Sequence, residues 1–216
     1  MTQSRITKLH DIIFELYLKN GESLPFHGWH HINFVTKKAL KFAEFVGADL
    51  EIVQAAALTH DLNNILAKNS PPEAGTELRA NLLEQAGFDL LQIENVENVV
   101  RESHTAYRTI TITAEGKALS DADTLFKILP ITPLFFTSKY LEENDVDLKK
   151  LANKIIKEQK PLLEQGIYFY IPEVSEKYLN WAKNHLELWQ NLLIPLEDED
   201  IYEILELSNN ANTLHL

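Results

Sequence analysis

Apolar positions recur along this chain at intervals of three and four residues, the spacing of one helix face. Ile6, Leu9, Ile13, Leu16 and Tyr17 form the first such stripe, and Gly21 stops it. A second helix is predicted from Trp29 to about Val46, ended by Gly47. A third starts at Asp49, a residue type suited to cap it, and runs to about Asp61. From Leu50 to Leu58 this third helix is apolar nearly all round, the pattern of a buried helix. Asn69 to Pro72 reads as a loop. Further helices fit Glu73–Ala86, Asp89–Thr105, Ala114–Leu129, Pro133–Glu142, Asp147–Glu164, Pro172–Leu193 and Glu197–Leu207. The β-branched run Thr109–Thr113 suits an extended segment, and Asn209–Leu216 suits a fraying tail. With seven glycines and no clear alternation of apolar and polar residues, the fold class predicted is all-α, in one domain spanning 1–216.

Composition narrows the chemistry. The 216 residues are 45% hydrophobic, enough for a sizeable core. The chain has no Cys, so disulfides, thiolate zinc sites and iron–sulfur clusters are excluded, in keeping with a reducing compartment. Twenty Lys and Arg against 32 Asp and Glu give a net charge of −12. That balance argues against a nucleic acid polymer as partner and means that an anionic ligand needs local cations. No apolar run approaches the roughly 18 residues of a membrane span. Met1–Asn20 lacks the uninterrupted apolar stretch of a signal peptide. The expectation is a cytoplasmic protein with no membrane partner; a homodimer is compatible with the sequence.

Among eight histidines, three places combine a ligand-type side chain with an inward face. Projected at 100° per residue, His31 falls in the stripe of Phe34, Val35, Ala39, Phe42 and Val46, whereas His30 falls with Asn33, Lys37 and Lys41. His27, one turn earlier, is a reserve candidate. His60-Asp61 ends the apolar third helix, where a buried carboxylate needs a cation or strong donors. Asp121 lies beside Ala114, Ala118, Leu125 and Ile128, while Asp123 lies with Ser120 and Lys127. Asp121 is therefore read as the inward carboxylate and Asp123 as an outward one.

His31, Leu58-Thr59-His60-Asp61 and Asp121 within Leu119-Ser120-Asp121-Ala122-Asp123 resemble the H…HD…D signature of the HD-domain metal-dependent phosphohydrolases. Asp49-Leu50-Glu51 before the doublet and Glu115-Gly116-Lys117 before the last Asp are similar to the same family. The resemblance covers roughly Trp29 to Leu129. It implies an HD-like helical bundle over about 22–130, with additional C-terminal helices over about 131–208. It also implies one divalent metal ion on His31, His60, Asp61 and Asp121, with Mn, Fe, Ni, Co, Mg and Zn all compatible. The implied activity is hydrolysis of a phosphoester or phosphoanhydride of a small phosphorylated substrate, with a nucleotide expected.

Two positions depart from that pattern. Phe34 stands where many relatives carry Arg, and Asn64 where some carry an acid. An HD-fold protein that binds metal or nucleotide with little turnover is the alternative. Candidate phosphate-binding cations are Lys38, Arg108 and Lys117, together with His104. The opposing readings are snorkelled surface amines for Lys38 and Lys117 and a Glu97–Arg101 ion pair. Besides Asp61, His104 is a candidate proton donor and Glu115 a candidate aid to water; both are assigned as catalytic. Trp181, His185 and Trp189, spaced i, i+4, i+8, are read as helix packing.

Overall fold

One helix without a solvent face organises the fold. The structure is a computed structural model that describes residues 4–211, without the side chains of 202, 205, 206 and 209–211. In chain order the helices are α1 (Arg5–Lys19), α2 (Trp29–Val46), α3 (Leu50–Thr59), α4 (Leu62–Leu66), α5 (Thr76–Ala86), α6 (Leu90–Ser103) and α7 (Ala114–Ile128). The C-terminal part adds α8 (Thr132–Phe135), α9 (Thr137–Asn144), α10 (Leu148–Glu164), α11 (Pro172–Leu196) and α12 (Glu199–Ala211). No strand occurs among the described residues, so the all-α class stands.

The helix ends follow from residue types. Side chains of Ser4, Asp49, Thr113 and Asp147 accept hydrogen bonds from first-turn N–H groups, and Asp89 forms a reciprocal capping box with Gln92. Gly47 and Gly87 close α2 and α5 at φ of 64° and 102°, where a β-carbon would be strained.

Helix α7 packs against α2, α3, α6 and α11, and every residue from Ala118 to Phe126 is buried. The main core joins α1, α2, α3, α5, α6 and α7 and continues into Ile167–Ile171 and the start of α11, at Val174, Tyr178 and Ala182. A smaller cluster around Leu151, Ala152 and Trp189 ties α9, α10 and α11 together. The C-terminal helices thus share the main core and add a second one.

Four local departures from the sequence reading matter. The helix expected to reach Asp61 stops at Thr59, and α4 starts at Leu62. Thr59 Oγ1 donates back to the Ala55 carbonyl, and the fully buried Arg79 donates from Nη1 to the Thr59 carbonyl. The first shares an acceptor already used within the helix, and the second satisfies a terminal carbonyl that would otherwise be buried unpaired. Helix α6 ends at Ser103 because His104 is extended, so Arg101, His104 and Arg108 do not share a helical face. The helix expected over Pro133–Glu142 is split into α8 and α9. Asn209–Ala211 belong to α12 rather than to a tail, whereas residues 212–216, with His215, lie outside the described residues.

Candidate metal centre

Three helices bring three donor atoms together. His31, on the buried face of α2, places Nε2 3.1 Å from His60 Nε2 and 3.0 Å from Asp61 Oδ2. His60 Nε2 lies 3.3 Å from the same carboxylate oxygen. Asp123 of α7 brings Oδ1 to 3.6 Å from His31 Nε2. The doublet sits at the break between α3 and α4: His60 keeps helical backbone angles, and Asp61 departs from them.

The triangle fits a small divalent ion. Ligands about 2.1 Å from a metal lie about 3.0 Å apart when adjacent in an octahedron and about 3.4 Å apart in a tetrahedron. The observed edges fall between these values. Two imidazoles with carboxylates suit a borderline divalent ion. His60 Nδ1 donates to the Ala57 carbonyl at 2.8 Å, which fixes its tautomer and leaves Nε2 as a lone-pair donor. His31 Nδ1 is buried without a hydrogen-bond partner, so its ring is held by packing on Phe26 and Phe126.

Electrostatics suit cation binding. Burial lowers the His31 pKa, which keeps the ring neutral. Burial opposes ionisation of Asp61, but His60 and His31 outweigh it and hold the carboxyl well below its usual range. Burial likewise opposes ionisation of Asp123; Lys127, 2.6 Å away, overrides it, with help from His31 and His60, and lowers the pKa to about 2.

The family model for the HD domain matches residues 28–127, the stretch that contains all four of these side chains. Over residues 28–127 the chain therefore matches the HD domain. HD domains bind divalent metals, and their superfamily consists mostly of metal-dependent hydrolases. The uncharacterized protein YpgQ of Bacillus subtilis (strain 168) is 32% identical over 108 residues, 46% of this chain and 50% of that protein. The match thus spans half the length of that relative. The crystal structure of the Lin1889 protein from Listeria innocua aligns at a TM-score of 0.51 and 23% identity, over 88% of this chain and 96% of that one. That likeness concerns fold alone, and it extends beyond the HD domain into the C-terminal helices.

Within the HD domain, His30 is exposed and stacks on Phe136 at 5.2 Å, away from the triangle. Asp121 corrects the sequence reading. Its carboxylate accepts from the Tyr170 N–H at 2.9 Å and the Ile171 N–H at 2.9 Å, and burial raises its pKa to about 7 against those two bonds. Both aspartates are buried because α7 is covered on every side, so an inward direction does not single out one face. Asp123, read as outward, is the one beside His31.

Glu115 also lies elsewhere, because its Oε1 accepts from the Asp49 N–H and ties α7 to the start of α3. Lys38 lies over the Phe34 ring, and neither it nor Lys117 lines the cavity beside the metal centre. Lys117 sits nearer Asp121 and helps restrain its pKa. Glu97 pairs with Arg79 rather than Arg101; Arg101 meets Glu73 and the Tyr107 ring.

The cavity holds about 530 Å³ and opens onto His60, Asp61 and Asp123. His104 and Arg108 line it. His104 Nδ1 accepts from the Ala106 N–H, and burial lowers the ring's pKa, so it is a neutral donor through Nε2 rather than a cation. Arg108 donates to the carbonyls of Tyr168 and Ser120 and to Thr124 Oγ1. Lys127, Lys154, His185 and Trp189 also line the cavity, although periodicity assigned them no role there. His27 lines it as well, anchored by Nδ1 to Glu143, a buried acid of α9 that also accepts from the Phe26 and His27 N–H groups. Helical spacing carried no signal for these pairings, which join residues far apart in the chain.

Proposed function

We propose that this protein holds one divalent metal ion on His31, His60, Asp61 and Asp123 and hydrolyses a phosphoester or phosphoanhydride of a small metabolite of nucleotide size. The triangle of His31 Nε2, His60 Nε2 and Asp61 Oδ2, with edges of 3.0–3.3 Å, carries this reading. A bound divalent ion supplies Lewis acidity toward a phosphoryl oxygen and a lowered pKa for water. The chain's own groups do the rest. Lys127 keeps Asp123 ionised and has further N–H bonds to offer in the cavity wall. His104 presents a neutral N–H suited to orienting a phosphoryl oxygen. The deep position of His31 keeps bulk water from one side of the centre.

Binding of metal and nucleotide with little turnover is the second reading, and one observation favours it. Asn64, where some relatives carry an acid, accepts from the Asn69 N–H and braces the following loop. The carboxylates among the cavity's lining residues are Asp61, Asp123 and Glu158. Metal analysis of protein exposed to manganese or nickel is expected to give about one ion per chain. His60→Ala or Asp61→Ala is expected to abolish it, and full retention by both variants would end the proposal. A screen of phosphate esters and anhydrides across divalent ions separates the two readings: phosphate release supports hydrolysis, and binding without release supports the second.

A further inference from the structure

Resting on the phosphohydrolase reading, we propose that the cavity selects an ester with a single phosphate on an apolar or aromatic body and disfavours di- and triphosphates. The first argument is charge. The Asp, Glu, Lys and Arg side chains in the wall are Asp61, Asp123 and Glu158 against Arg108, Lys127 and Lys154, so they cancel, and His27 is paired with Glu143 behind it. One divalent ion then leaves two positive charges. A phosphate monoester carries about −1.5 to −2 at pH 7 and is matched by that excess. Each further phosphate adds negative charge with no partner, and uncompensated charge leaving water is strongly unfavourable. The net charge of −12 opposes it further.

Nor do the cations form a free cluster for a polyphosphate. Lys127 is paired with Asp123 at 2.6 Å. Arg108 serves two carbonyls and a threonine hydroxyl. Lys154 donates to Tyr140 OH at 2.7 Å and to Asn69 Oδ1 at 3.2 Å.

The second argument is the cavity wall supplied by the C-terminal part. Leu151, Ile155 and Leu162 of α10, Tyr168, and Trp189 of α11 line it. Polar groups there bond each other: Tyr168 OH with Gln159 Oε1 at 2.5 Å, and Trp189 Nε1 donating to His185 Nε2 at 3.1 Å. That wall offers apolar and aromatic contact with few unpaired polar edges, so it recognises bulk and flatness rather than a particular pattern of donors. About 530 Å³ is within the range of small-molecule sites.

The test has a binding arm and a turnover arm, both on manganese-loaded full-length protein. In calorimetry, phenylphosphonate is expected to bind at least tenfold tighter than methylphosphonate. Ile155→Ser, with its melting temperature checked, is expected to remove most of that ratio. In turnover, a nucleoside monophosphate is expected to show at least tenfold higher kcat/KM than the matching triphosphate. Equal affinity for the two phosphonates in the parent protein, or preference for the triphosphate, overturns the proposal and leaves the phosphohydrolase reading intact. Failure of every phosphate compound to bind or turn over removes that reading, and this one with it.

Discussion

Asp121 and Asp123 stand two residues apart and do different work. Asp123 faces His31 and Lys127, whereas Asp121 holds the N–H groups of Tyr170 and Ile171. Asp123→Asn is therefore expected to weaken metal binding at least tenfold, or about 1.4 kcal/mol. Asp121→Ala is expected to leave metal affinity nearly unchanged while costing about 1–3 kcal/mol of stability, because two buried N–H groups lose their acceptor. Metal titration and urea unfolding of the two variants check this; the reverse pattern would show that the assignment to α7 is inverted. His31 could be placed from its register because α2 has a clear polar face at Lys37 and Lys41. The two aspartates could not be told apart that way, because α7 has none. Glu115 and Lys117 resembled family flanks, but their contacts are with Asp49 and near Asp121, neither of which local spacing reveals.

At the scale of elements, the His60-Asp61 doublet sits where a helix stops. Periodicity carried the third helix to Asp61, since the apolar run contains no Gly or Pro to end it. The actual stop is braced by Arg79, 20 residues further on in α5. Its guanidinium donates to the Thr59 carbonyl at 3.0 Å and the Pro72 carbonyl at 2.9 Å, and pairs with Glu97 at 2.6 Å. One side chain thus joins α3, α5, α6 and the loop after α4. Removing one partner of a buried ion pair typically costs about 3–5 kcal/mol, and Arg79→Ala is expected to fall in that range. Weaker metal binding should accompany the loss in stability, as His60 loses its support. An effect under about 1 kcal/mol by urea unfolding would contradict this role.

For the whole molecule, the all-α class and the order of helices were legible, because long amphipathic runs are bounded by recognisable caps. A part for the C-terminal third in a pocket could be expected, but its lining side chains, such as Leu162 and Trp189, could not be named, since they meet across distant elements. His185 gives that lining a pH signature. Burial lowers its pKa to about 4, against about 6.5 in an unfolded chain. The unfolded chain therefore binds more protons between these values, and stability present above pH 6.5 is lost as pH falls toward 4. Between pH 7.5 and 5 the loss from this group is about 2 kcal/mol. His185→Gln is expected to flatten the profile by that amount in denaturant titrations, and an unchanged slope would count against it. A last consequence concerns α7, buried from Ala118 to Phe126. A helix enclosed on every side has no room for drift: an enlarged side chain meets a neighbour in any direction. Half-buried positions such as Ile155, on the wall from the C-terminal part, tolerate exchange far better. The molecule thereby separates what has to stay constant from what is free to diversify, and new ligand preferences can arise by changing α10 and α11 while the enclosed helix keeps Asp123 in place.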